Sequence, residues 1–388
     1  MRLETLIDDS PDPGEGSARP RIVVVLGDGG VGKTTLAAAM GLRMALAGRR
    51  VLVVTVDPAN RLRTALGLAN EPGSEEPVPL EGPGSLHAMV LEARHELDRL
   101  VDRLIRSEED RRRIRGNVFY RKAAAGMSGT HEYLALDRLL QVTESGRYDR
   151  IVLDTPPERH ALDFLDAPDR LLDLLDSDSF RLFVGASSGL SRLGLQALKG
   201  RRWLLRGIGR FAGEDTFLAV LDFLLAFSPL FGDLRDRLGR VKALLAGPDT
   251  ATLLVARPSP GMADRVRESA ELIRTRGLRP TALLVNRVMT WPPAECPAAG
   301  AREPAGVETL RSVFHASPAL RWMDESTREE LARKTGRRAQ EDWERSREDA
   351  RRIAEAREAL GNIPVREVPW LRTEVRDLEG LKALTAFL

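Results

Sequence analysis

Short apolar runs without alternation recur along the chain. Arg21-Ile22-Val23-Val24-Val25-Leu26, Val51 to Val56, Arg150-Ile151-Val152-Leu153, Thr252 to Ala256 and Thr281-Ala282-Leu283-Leu284-Val285 are of this kind. Brief β-branched runs with no polar alternation suit strands covered on both faces, as in a parallel sheet. Between them the spacing turns helical. Thr34 to Ala47 predicts a helix ended by Gly48, and Glu132 to Ser145 and Val266 to Arg276 predict two more. In Glu92 to Arg115, residues Leu97, Leu100, Val101, Leu104 and Ile105 fall on one stripe of a charged amphipathic helix. Glu325 to Leu360 predicts helix, one or two according to whether Gly336 breaks it. Ile363 to Val368 predicts a last strand, and Leu378 to Phe387 a terminal helix. Strand, helix and strand in alternation predict the α/β class, with a mostly parallel sheet flanked by helices.

The rest of the pattern sets the domain organisation. Asp8 to Pro20 is acidic and rich in Pro and Gly, so residues 1–19 read as a disordered tail. Residues 69–85 and 290–306 read as loops. The stretch 162–246 is rich in Leu and Phe, lacks β-branched runs and has Gly-rich breaks. It reads as a helical subdomain inserted into one α/β domain spanning 20–388.

Composition narrows the function classes. Apolar residues make up 43% and charged residues 30%, ordinary for a soluble protein, while aromatics at 5% leave the core to Leu, Val, Ile and Ala. Net charge is +2 with both signs interleaved, which argues against a nucleic-acid partner; Arg111-Arg112-Arg113 reads as a solvated helix face. Cys296 is the single cysteine, which excludes an intrachain disulfide and a Cys-based metal cluster and fits a reducing cytoplasm. The N-terminal stretch lacks the pattern of a signal peptide. No run is long and apolar enough to predict a membrane span.

The candidate chemistry sits at the ends of the predicted strands. Gly27-Asp28-Gly29-Gly30-Val31-Gly32-Lys33-Thr34 has the complete spacing of a phosphate-binding P-loop, between a strand and a helix. Small residues let successive backbone N–H groups approach an anion, and the helix N-terminus adds a favourable dipole. Lys33 would reach the outer phosphates, and Thr34 would ligate Mg²⁺. Asp57 and Asp154 each follow a strand, and in a parallel sheet those ends lie on the side of the P-loop. One carboxylate could serve the metal and the other the attacking water; the spacing leaves the two roles open. Asn286 ends another strand, where its amide could read a base or cap a turn.

These residues resemble the anion-transporting ATPase family. The resemblance rests on the loop, on Asp57-Pro58-Ala59, on Asp154-Thr155-Pro156-Pro157 through His160, on Asn286-Arg287, and on the closing stretch from Val368-Pro369-Trp370 to Leu388. It covers about 20–388. The family contains arsenite-efflux pump ATPases and ATPases that target tail-anchored membrane proteins, within the deviant-Walker P-loop class. The resemblance implies that Gly27, Gly29, Gly30, Val31, Gly32, Lys33, Thr34 and Thr35 hold the phosphates of ATP. It implies that Asp57 polarises the attacking water, that Asp154 acts on Mg²⁺ through its shell, and that Thr34 ligates it. Asn286 would recognise adenine under a loop around Pro369. One P-loop implies a single half that forms a homodimer.

Three departures from the family's pattern qualify these expectations. The loop normally opens Gly-Lys-Gly-Gly, its first lysine reaching the nucleotide of the partner subunit; Asp28 stands there. An acid would repel a triphosphate unless it is turned away or meets an Arg, with Arg61 or Arg159 as possible sources of the missing charge. After Asp57-Pro58-Ala59 comes Asn60-Arg61, and Arg159 replaces a mobile glycine before His160. Cys296 alone can form neither a zinc-binding Cys pair nor the cysteine trio of arsenite pumps. Within 203–234 a nearly continuous apolar run from Phe217 to Phe231, interrupted at Asp222, would make subdomain core, a dimer seam, or a groove for a hydrophobic helical client or membrane protein. Two main functions follow: a cytoplasmic ATPase that opens and closes a homodimer around such a partner, or a low-turnover regulatory or scaffolding nucleotide binder. A metalloid-pump subunit is disfavoured by the cysteine count.

Overall fold

A computed structural model describes residues 20–56, 61–68, 73–117, 120–121, 130–156, 158–177, 231–292, 303–371, 375 and 377–388. The tail, Asp57 to Asn60, Cys296 and the part of the apolar run between 203 and 230 lie outside the described residues.

The strands form one eight-stranded sheet. In chain order they are β1 (Ile22–Gly27), β2 (Arg50–Thr55), β3 (Glu76–Val78), β4 (Ser85–Val90), β5 (Arg150–Asp154), β6 (Thr250–Ala256), β7 (Pro280–Val288) and β8 (Val365–Pro369). Across the sheet the order is β3-β4-β2-β5-β1-β6-β7-β8. Every pairing is parallel except the edge pair of β3 with β4. The unalternating runs are explained by burial on both faces. In β1, Val23 and Val25 join one apolar cluster, while Ile22, Val24 and Leu26 join the other.

Helix α1 (Lys33–Leu46) and the terminal helix, Leu378–Thr385, cover the first face. The second face is covered by Thr130–Ser145, Phe231–Ala246, α8 (Met262–Thr275) and α10 (Glu325–Leu360). In chain order the remaining helices are α2 (Arg61–Leu66), α3 (Ala93–Leu104), α4 (Glu108–Gly116), α6 (Glu158–Asp176) and α9 (Val307–Ala316). The helices Thr130–Ser145, Phe231–Ala246 and Leu378–Thr385 are accordingly α5, α7 and α11. A smaller apolar cluster joins α3, α4, α5 and α7, with Leu234 packed against it.

The architecture is the expected α/β fold with helical elements between β5 and β6. Two local expectations change, one helix is added and one open choice is settled. The helix predicted over Glu92 to Arg115 is two helices, because Ser107 caps a new start: its hydroxyl accepts from the Asp110 N–H, and Glu108, Glu109 and Asp110 complement the helix dipole. The predicted loop 69–85 contains β3 and runs into β4. Helix α9 follows the Pro/Ala-rich loop. Gly336 does not break α10, which is continuous over 36 residues; α9 packs against it there, and a Cβ would lie 2.9 Å from Val307 Cγ2. Among the described residues no helix is long and apolar enough to cross a membrane.

Candidate functional site

Sheet order brings the P-loop and Asp154 together. The loop leaves the end of β1, and β5 lies directly beside β1, with Val25 paired to Asp154. On its other side β5 pairs with β2, which sets Thr55 against Asp154. Asp154 is fully buried and its Oδ2 accepts from two hydroxyls, Thr34 Oγ1 at 2.7 Å and Thr55 Oγ1 at 2.8 Å. Thr55 had no place in the expected site, although its position at a strand end is the signal that marked Asp57 and Asp154. The hydroxyl of Thr155 donates to the Val25 carbonyl at 2.7 Å and fastens the start of the following segment to β1.

The loop itself is held from inside. Lys33 is 7% exposed, and its ammonium donates to the carbonyls of Gly27 at 2.8 Å and Asp28 at 3.0 Å. Gly32 precedes α1 with φ of 98°, a left-handed conformation suited to glycine. A Cβ at this position would come within 2.3 Å of Asn286 Nδ2.

Asn286 lies within β7 and not at its end. Its Nδ2 donates to the Val31 carbonyl at 2.7 Å, and its Oδ1 accepts from the Arg287 N–H at 2.9 Å. The side chain therefore ties β7 to the P-loop. An amide has two N–H hydrogens and two acceptor lone pairs, so each atom keeps one further capacity for a base. Pro369 pairs with Val288, and the Trp370 N–H donates to the Val288 carbonyl at 2.9 Å, bringing the β8 end beside Arg287. A cavity of about 460 Å³ opens there, bounded by Arg257, Arg287, Asp349, Arg352 and the partly exposed Trp370. Asp349 is pushed up from its usual carboxylate range by burial, against the Met289 N–H that it accepts.

A second cavity, of about 330 Å³, lies between the P-loop and the β6–α8 connection, bounded by Asp28, Gly29, Val255, Ser259 and Arg265. Asp28 meets an arginine, Arg265; the side chains of Arg61 and Arg159 lie outside those described, so their supply of charge stays an expectation. Arg265 Nε stands 3.6 Å from Asp28 Oδ2. Position 57 also lies outside the described residues, so the pairing of Asp57 with Asp154 stays an expectation. Arg265 was missed because it sits a turn into a helix, although the β6 end that delivers it obeys the same strand-end rule.

Hydroxyl and carboxylate oxygens fit a hard divalent cation such as Mg²⁺. Thr34 and Asp154 offer such a set, with the carboxylate already fixing the direction of the hydroxyl.

Residues 20–182 match the family described as anion-transporting ATPase. An uncharacterized protein of Streptomyces coelicolor is 29% identical over 72% of this chain and 64% of its own length. The ATPase ASNA1 homolog of Babesia bovis is 32% identical over 40% of this chain and 40% of its own. The ATPase GET3 of Malassezia globosa is 29% identical over 37% of this chain and 40% of its own. The chain thus spans less than two thirds of the length of these relatives.

Proposed function

We propose that the chain is a member of the anion-transporting ATPase family, whose pattern residues 20–182 match, and that it binds ATP and hydrolyses it in a Mg²⁺-dependent reaction. The observation that carries this reading is the buried Thr34–Asp154–Thr55 contact beside Lys33 on a complete P-loop. Lys33 rests on loop carbonyls and would exchange them for phosphate oxygens. Backbone N–H groups from Gly29 to Thr35 would cradle the phosphates, with Gly27 at the base of the loop. Thr34 would hold Mg²⁺ directly and Asp154 through its shell; the ion would neutralise charge on the transferring phosphoryl group. Asp57 would polarise the attacking water. Asn286 and the loop around Pro369 would receive adenine.

The finer reading is a nucleotide-driven homodimer that acts on a protein or membrane partner, such as a hydrophobic helical client. It is supported by the family and by the helical elements between β5 and β6. A low-turnover regulatory or scaffolding binder is favoured by one observation: an acid stands at position 28 and is engaged by Arg265. A metalloid pump is disfavoured because a soft trivalent ion needs several thiolates and the chain has one cysteine.

Phosphate release by purified protein tests the reading. Wild type is expected to turn over with Mg²⁺ and to lose activity on chelation. Lys33→Ala should lose nucleotide binding, whereas Asp57→Asn should bind and not turn over. Asp28→Lys should raise turnover if the missing lysine limits it. A wild type that binds Mg-ATP without releasing phosphate under any condition decides for the low-turnover reading.

A further inference from the structure

The cavity between the P-loop and the β6–α8 connection contains an arginine that the reaction outlined above does not use. Arg265 lies in the first turns of α8, its N–H donating to the Gly261 carbonyl. Its guanidinium is steered by two fixed acceptors: Nη1 donates to the Pro260 carbonyl at 2.9 Å and Nη2 to Ser259 Oγ at 2.6 Å. Ser259 is itself tied to its own connection, donating to the Arg257 carbonyl at 3.2 Å. The third side of the guanidinium faces Asp28, with Nε 3.6 Å from Oδ2. Both partners are about half exposed, so this ion pair is weak and readily exchanged. The two hydrogen bonds fix the position of the fork, and the weak ion pair decides what its free edge faces.

We propose that Arg265 is a phosphate-contacting residue supplied from within the same chain, and that Asp28 holds it in reserve. On nucleotide entry, phosphate oxygens displace the Asp28 carboxylate from the guanidinium. The gain should be larger for a triphosphate than for a diphosphate, because the third phosphate adds charge beside the guanidinium edge that the carboxylate vacates. The acid at position 28 then becomes one half of a switch, and the cation absent from the loop is delivered by α8. This inference rests on the P-loop binding nucleotide.

The test measures binding of ATP and ADP, each with Mg²⁺, by displacement of a fluorescent nucleotide, for wild type, Arg265→Ala, Arg265→Lys, Asp28→Asn and Lys33→Ala. Arg265→Ala should weaken ATP about tenfold and ADP less than twofold. Arg265→Lys should recover part of the ATP affinity, since it keeps the charge and loses the fork. Asp28→Asn should strengthen ATP, by removing both the competing carboxylate and its repulsion. Arg265→Ala binding both nucleotides as wild type overturns the inference, and so does an equal loss of both that Arg265→Lys does not relieve, which marks a purely structural role. Lys33→Ala separates the two levels: if it and wild type bind equally, the P-loop reading itself fails, whatever Arg265 does.

Discussion

At the scale of single residues, the site is a set of polar groups whose partners were chosen by strand register. Asp154 faces Thr55 because β5 lies between β1 and β2, and it meets Thr34 because the P-loop turns back over that junction. Gly32 is the tightest point. A side chain there would have to adopt a left-handed backbone and also displace the Asn286 amide from Val31. Gly32→Ala should therefore cost about 1–3 kcal/mol in backbone strain and weaken nucleotide binding by at least about tenfold. Denaturant unfolding and nucleotide titration of the same variant check both. Lys33, Thr34 and Asp154 were legible in the sequence because each obeys a spacing rule, either within the loop or at a strand end. The tie from Asn286 to Val31 was not, since it joins residues 255 apart and depends on β7 lying two strands from β1. Arg265 was hidden for the same reason: nothing local connects it to Asp28.

At the scale of elements, glycine shows how one residue type takes opposite signs. In α1, Gly41 lies where the helix meets β2, and a Cβ would lie 2.3 Å from Val53 Cγ2 and 3.4 Å from Leu86 Cδ1. In α7, Gly239 is exposed, with nothing within 4 Å of the same added atom. Alanine gains up to about 1 kcal/mol of helix propensity at either place. At Gly41 an overpacking cost of about 1–3 kcal/mol exceeds that gain. Urea midpoints should therefore fall for Gly41→Ala and rise for Gly239→Ala. A second element-level tie joins β2 and β5 at their starts. Arg50 donates through its backbone N–H and its guanidinium to Asp149, and the side-chain bonds hold that carboxyl down to about 2 from its usual value near 3.8. Because the folded value is the lower one, this contribution is present above pH ~4 and is lost as pH falls toward 2. The pair is exposed, so Asp149→Asn should cost only about 0–1 kcal/mol at neutral pH, a difference that closes in unfolding curves recorded at pH 2. The central strands and α1 were readable from apolar runs and a complete βαβ signal. Strand β4 escaped because Leu86-His87-Ala88-Met89-Val90 is poor in β-branched residues and follows a Pro/Gly loop. The α3–α4 break escaped because the apolar stripe continues across it, while Ser107 and three following acids carried the contrary signal.

At the scale of the whole molecule, nucleotide binding and assembly become stability statements. The P-loop draws on β1, α1, β5 and, through Asn286, β7, so a ligand held there would bind only a chain whose sheet is formed. Ligand that binds the native state alone stabilises it by RT ln(1 + [L]/Kd), about 2.7 kcal/mol at a hundredfold excess over Kd. Mg-ATP at that ratio should raise the midpoint of thermal unfolding by a few degrees. Lys33→Ala should show no rise at the same concentration, and Gly239→Ala should show the full rise from a higher starting point. The homodimer reading adds a separate signature. If nucleotide closes two copies upon each other, the midpoint with Mg-ATP depends on protein concentration, because association enters the same linkage. Without nucleotide it does not. Scans at protein concentrations differing about a hundredfold, paired with sedimentation velocity in Mg-ATP and in buffer, discriminate the cases. A rise that is independent of protein concentration, with a monomer in both conditions, leaves the nucleotide site standing and removes the dimer switch. Asp28→Lys sharpens the outcome: restoring a cation at position 28 should strengthen nucleotide-dependent association if that position faces the partner subunit, and should leave it unchanged if Arg265 already supplies the charge from within the chain.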